Sequence, residues 1–197
     1  MRAVIKVVTL KLRKYYSENK LIMCGILCQY PIGGGNYFSK DTLVESLGEL
    51  SHRGPDASNF YYKNGIFLGH NRLSIVDLDE RSNQPFYYKN YVIVFNGEIF
   101  NFKEIRETLI NRGKTFITNS DTEVLLLAFI EFGYEVYDML NGFWAFIIYD
   151  IDADRLHVSR DRFGQKPLFF KKNESSYVFS SEVAPLFKLD RSGVNLK

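Results

Sequence analysis

The group in this chain best suited to covalent chemistry is Cys24, which follows Met23 inside "IMCGILCQY" at 22–30. A thiolate attacks acyl carbon well, provided that a base takes its proton and that donors hold the oxyanion it creates. Taken alone, a cysteine in an apolar run reads more readily as core packing, and Cys28, four residues on, fits that reading. Polar stretches that could serve Cys24 recur downstream: "SHRGPD" at 51–56, "GHNRLSIVDL" at 69–78, "NGEIFN" at 96–101, "SDTEV" at 120–124 and "RDRFGQKPLFF" at 160–170. Their residues also have plainer uses. Asn96-Gly97 is by itself a hairpin dipeptide, Arg72 a solvated strand residue, and Asp121 a negative charge well placed in a helix's first turn. His52, His70 and His157 are too scattered for zinc spacing. Cys24 and Cys28 share one apolar run, so a disulfide framework is excluded and a reducing compartment fits.

A frame must bring these groups together. At 197 residues, with 46% hydrophobic and 16% aromatic content, the chain can bury a sizeable core as one domain. "GILCQY" reads as a strand ended by Pro31 and the Gly33-Gly34-Gly35 turn. "DTLVESLGELSH" reads as a helix burying Leu43, Leu47 and Leu50. Asn64-Gly65 predicts a hairpin inside "SNFYYKNGIFLGHNRLSIVDL", and "YVIVFNG" predicts a further strand. "FKEIRETLINRG" is a helix with Asn101 as N-cap and Gly113 as stop. A second helix opens at "SDTEVLLLAFIEFG", where Ser120 and Glu123 form a capping box. After it come a strand ending at Asp150, a polar turn at 152–154, and the strands "RLHVSR", "PLFFKK" and "YVFSS". Strands at both ends with helices between them indicate an α+β layered domain with mainly antiparallel sheet.

Charge narrows the partners. Residues 1–22 carry six Lys/Arg against Glu18, a net +5, which leaves −3 on the body of a chain whose formal total is +2. A mildly acidic body argues against a nucleic-acid-binding face. No apolar stretch reaches bilayer-spanning length, and residues 1–22 lack a secretory h-region, so a cytoplasmic protein with no membrane partner is expected.

In order and wording, the five polar stretches resemble the glutamine amidotransferase domain of glutamine-hydrolysing asparagine synthetases, the class whose nucleophile is an N-terminal cysteine. The resemblance runs from Met23 to about Leu186. It implies an N-terminal-nucleophile (Ntn) hydrolase fold, a four-layer αββα sandwich of mainly antiparallel sheets, that releases ammonia from L-glutamine through a cysteine thioester. It implies Cys24 as nucleophile, with the Asn96 side chain and the Gly97 N–H holding the oxyanion. Arg72 would grip the substrate α-carboxylate and Asp121 the α-ammonium, with Glu98 beside it. The backbone of Leu73, Ser74, Ile75 and Val76 would line the pocket. For His52 and Arg53 a structural or gating role is expected, and for "RDRFGQKPLFF" an architectural one. No cofactor or metal is expected.

A carboxamide is a poor electrophile, so its hydrolysis wants a base that returns the thiol's proton to the departing ammonia. No histidine adjoins Cys24, and the obvious base is the cysteine's own α-amine, whose reference pKa is about 7.7–8.0. An amide nitrogen cannot serve, because its lone pair is delocalised into the carbonyl. Cys24 must therefore become the first residue, through translation from Met23 or removal of a propeptide; otherwise the chain is inactive. Residues 1–22 are then a basic extension outside the active form, and 23–197 the amidotransferase domain. No ATP-binding synthetase domain is expected, so the ammonia would pass to a separate ATP-dependent synthetase polypeptide. The contrasting reading is a non-catalytic remnant of a split synthetase gene that keeps the glutamine pocket. Retention of Cys24, Arg72, Asn96, Gly97, Glu98 and Asp121 together favours activity.

Overall fold

The computed structural model describes residues 23–32, 37–73 and 80–189. The basic segment 1–22, the glycine turn at 33–35 and residues 74–76 lie outside the described residues. Strand β1 (Gly25–Pro31) runs at the centre of one sheet, beside the hairpin of β2 (Ala57–Lys63) and β3 (Ile66–Arg72). Asn64 at φ 51° and Gly65 at φ 80° make the tight turn between the hairpin strands, as the dipeptide predicts. β1 ends at Pro31, as read from the sequence. β9 (Ser176–Ser180) and β8 (Phe169–Lys172) complete the sheet in the order β2-β3-β1-β9-β8.

The second sheet has the order β4-β5-β6-β7: Phe86–Tyr88, Tyr91–Ile99, Gly142–Asp150 and Arg155–Arg160. All paired strands in both sheets are antiparallel. β5 and β6 pair over nine residues, which draws Asn96-Gly97 into the middle of a strand instead of a turn. The three-residue β4 gives no periodic signal in the sequence and appears only in the structure.

Side-chain alternation along these strands builds the layers. Ile26 and Cys28 of β1, Leu68 of β3, Val92 and Val94 of β5 and Ile147 of β6 form a buried layer between the sheets. Their neighbours face outward. Leu27 and Phe67 pack on α1 (Lys40–Gly48) through Leu43 and Leu47, with Leu186 and Leu189 of α5 (Val183–Leu189). Ile93, Phe95, Phe146 and Ile148 pack under α2 (Phe102–Asn111), α3 (Asp121–Phe132) and α4 (Val136–Met139). The result is an αββα sandwich in which each fully buried Leu, Ile or Phe contributes roughly 1.5–3 kcal/mol. Among the described residues, no helix is long and apolar enough to cross a membrane, and no group of three or more His, Cys, Asp or Glu is arranged to hold a metal.

Two predicted caps work differently in three dimensions. Asn101 precedes α2 but makes no capping hydrogen bond; its amide donates to the Met139 carbonyl and its oxygen accepts from the Asn141 N–H. Ser120 does cap α3, its Oγ accepting from the Glu123 N–H at 3.3 Å. The Glu123 carboxylate, fully buried, accepts from the N–H groups of Ile117 and Thr118 and from the Thr118 hydroxyl rather than closing the box on Ser120.

Candidate active site

The apolar layer between the sheets ends in polar groups on three strands. Continuing the two-residue alternation, Cys24 precedes Ile26 and Cys28 just ahead of β1, while Arg72 follows Leu68 and His70, and Asn96 follows Val92 and Val94. All three line one pocket of about 130 Å³, together with Leu73, Gly97, Glu98 and Asp121. The site residues expected from the sequence are thus brought together, apart from Ser74, Ile75 and Val76, which lie outside the described residues.

The Cys24 thiol lines this pocket among polar neighbours. Leu73 N–H donates to Cys24 Sγ at 3.4 Å, and Sγ lies 3.7 Å from the Leu73 carbonyl. Burial pushes the thiol's pKa up, against the Leu73 N–H and the positive charges of Arg72 and Arg53. The Cys24 carbonyl accepts from Arg53 Nε at 3.1 Å, and Arg53 Nη1 donates to Glu182 Oε1 at 2.9 Å. His52 Nε2 contacts the same oxygen at 2.9 Å. "SHRG" therefore braces the backbone at Cys24 against Glu182. Gly54 is required for this docking, since a Cβ there would lie 2.3 Å from the Asn71 carbonyl oxygen.

The edge of β5 supplies donors. Phe95 N–H donates to Gln84 Oε1 and Ile99 N–H to Asp121 Oδ2, so both point away from β6. By alternation the Gly97 N–H, midway between them, points the same way, along the pocket edge. Gly97 has no room for a side chain, because a Cβ would sit 2.3 Å from the Phe143 carbonyl oxygen. Beside it, the Asn96 side chain is only 2% exposed and its Nδ2 has no hydrogen-bond partner. A buried amide donor without an acceptor costs about 1–3 kcal/mol, so Asn96 stands ready for an acceptor that enters the pocket.

Opposite charges share the same space. Arg72, 6% exposed, donates from Nη1 to Asn83 Oδ1 at 2.6 Å. Asp121, at the start of α3, has its pKa raised to about 6 by burial, with the Glu98 charge adding to the rise. It lies in the first turn of α3, where a negative charge is favourable, and it also lines the pocket.

Sequence reasoning missed several pocket residues. Lys166 ends the "RDRFGQK" loop, whose frame is Asp161: Oδ1 accepts from Phe163 and Gln165 N–H, and Oδ2 from Lys166 N–H. The loop is architectural as expected, but its last side chain reaches the pocket, where Lys166 Nζ lies 3.2 Å from Met23 Sδ. Gln84 and Ser82 also line the pocket from the stretch between β3 and β4, which carries no recognisable motif.

Comparison with known proteins places this arrangement. A glutamine amidotransferase domain model matches residues 23–197. Glutamine-hydrolysing asparagine synthetase 3 of Bacillus subtilis is 38% identical over 184 residues, covering 88% of this chain and 30% of the relative. Asparagine synthetase 1 of the same organism is 36% identical, covering 81% of this chain and 26% of the relative. The chain thus spans under a third of the length of these relatives. Among solved structures, the glutamine phosphoribosylpyrophosphate amidotransferase of B. subtilis superposes with a TM-score of 0.69 at 23% identity, over 84% of this chain and 43% of that one, and so shares the fold. With the family model matching from Met23 onward, the chain belongs to the glutamine amidotransferase domain family.

Proposed function

We propose that this domain hydrolyses L-glutamine to glutamate and ammonia through a thioester on Cys24. The observation that carries the reading is the buried, unpartnered Asn96 Nδ2 lining the same pocket as the thiol. Arg72 pairs with the substrate α-carboxylate, while Asp121 and Glu98 face its α-ammonium. The α-amine of Cys24 takes the thiol proton as sulfur bonds to the side-chain carbonyl carbon, and the carbonyl electron pair moves onto oxygen. Asn96 Nδ2 and Gly97 N–H stabilise that oxyanion. Collapse expels nitrogen, which leaves as ammonia carrying the proton returned by the α-ammonium. Water then attacks the thioester, giving up its proton to the same amine, and glutamate departs as the thiol is restored. The ammonia serves an ATP-dependent synthetase partner of the asparagine synthetase type, and 23–197 is the working domain.

This mechanism requires a free α-amine on Cys24, which in the chain as written is joined to Met23. The test is to prepare the full chain and a form whose Cys24 is terminal, verify each N-terminus by mass, and measure glutamate release. Activity is expected only with Cys24 terminal, and none from Cys24→Ala. Equal activity from a chain that verifiably retains residues 1–22 would defeat the α-amine mechanism. A silent Cys24-terminal form that still binds glutamine would favour a non-catalytic pocket.

A further inference from the structure

His70 is fully buried, and the proposed reaction gives it no task. It belongs to β3 in one sheet, yet its Nε2 lies 3.1 Å from the carbonyl oxygen of Phe95 on β5 in the other. Burial pushes its pKa down to about 3, so the ring is neutral. A carbonyl can only accept, so the ring proton sits on Nε2, and Nδ1 is left without a hydrogen-bond partner.

The position of Phe95 gives this bond its use. The register that pairs Tyr88 with Tyr91 and Phe86 with Ile93 would set Gln84 opposite Phe95, but β4 has ended before that point. Side chains take over from the missing strand. Gln84 Oε1 accepts the Phe95 N–H while Gln84 Nε2 donates to Thr122 Oγ1, and His70 donates to the Phe95 carbonyl. Phe95 is thus gripped at both outward backbone groups, immediately before Asn96 and Gly97.

We propose that His70 is a positioning residue: through the Phe95 carbonyl it fixes the β5 edge so that the Asn96 amide and the Gly97 N–H converge on one oxyanion. The proposal rests on the glutaminase reading for its catalytic consequence, whereas the hydrogen bond itself can be tested without turnover.

In the Cys24-terminal form, His70→Leu is expected to lower kcat for glutamine roughly 10- to 100-fold while KM changes less than about twofold. His70→Gln, which keeps a donor, should restore most of kcat. Alkylation of Cys24 by iodoacetamide, which builds no oxyanion, should proceed at the wild-type rate in both. Unchanged kcat in His70→Leu, or alkylation falling in step with hydrolysis, would overturn the assignment. On the wild type, ring ¹⁵N shifts should show the Nε2–H tautomer without titration between about pH 5 and pH 9. An Nδ1–H tautomer or a titration in that range would overturn it even if no variant folds. If wild-type Cys24-terminal chain released no glutamate, the glutaminase reading would fall, and the ring shifts would still decide whether His70 holds Phe95.

Discussion

Ile99 N–H donates to Asp121 Oδ2 at 3.1 Å, which ties the acid at the start of α3 to the strand that carries Asn96 and Gly97. The carboxylate that would read a substrate ammonium is therefore also a structural acceptor for the edge that would bind the oxyanion. It is buried, so its ionisation is costly, and stability and binding pull in opposite directions with pH.

Asp121→Asn should reveal that conflict. The native pKa of about 6 exceeds the unfolded value of about 3.9, so the folded chain binds the extra proton between those limits. Its contribution is fully present below about pH 4 and is lost as pH rises through 6. Urea unfolding should show Asp121→Asn gaining on the wild type by about 2–3 kcal/mol from pH 4 to pH 8, because Asn can still accept from Ile99. Glutamine KM should rise in the variant, and in the wild type it should rise as pH drops below 6. A stability difference that stays flat with pH would show that Asp121 is not held protonated by burial.

Gly97→Ala should damage the site more than the fold. The added methyl meets the Phe143 carbonyl and the Phe95 ring, so β5 must shift off β6 beside the pocket. A stability cost of about 1–3 kcal/mol is expected, with kcat reduced at least about 100-fold. Steady-state kinetics and thermal unfolding on the same preparation check both figures.

Glu182→Gln should expose the brace behind Cys24. Burial pushes the Glu182 carboxyl up, but hydrogen bonds from Arg53 and His52 outweigh it and hold the pKa below its ordinary value. The stability it confers is present above the unfolded pKa of about 4.3 and lost as pH falls through the native one. The variant should be less stable by about 1–2 kcal/mol at pH 7, with a difference that closes toward pH 3. Denaturation midpoints across that range decide it.

Glu123→Ala should loosen the approach to α3. The buried carboxylate satisfies two backbone N–H groups, both left without an acceptor in the variant, and a hydroxyl that can turn instead to Ser120 Oγ at 2.9 Å. A loss of about 2–4 kcal/mol is expected, accompanied by faster amide exchange at Thr118 and Ser120 and a higher glutamine KM.

Much of the frame is legible locally. The apolar runs in "GILCQY" and "YVIVFNG" mark strands buried on both faces, and Asn64-Gly65 marks its own turn. Cys28 is core, as its apolar surroundings imply. What escaped the sequence depends on partners far along the chain. Nothing near Arg53 announces the Cys24 carbonyl, and nothing near Gln84 announces Phe95. Asn101 has the right residue type for a cap, but its side chain bonds Met139 and Asn141 some forty residues on; Glu123 instead turns back to the N–H groups of Ile117 and Thr118 just ahead of its helix. Asn96-Gly97 is the clearest case, for its local preference is a turn and nine residues of pairing with β6 override it.

The early end of β4 has a wider consequence. In the proposed reaction an incoming carbonyl at the Gly97 N–H would take the place that an adjacent strand's acceptor would fill, so the substrate would be read partly as if it were a missing piece of polypeptide. Such recognition would draw on main-chain spacing. It also makes the pocket only as rigid as a strand edge clamped by Gln84, His70 and Asp121, so in rising denaturant turnover is expected to vanish while the sandwich is still folded.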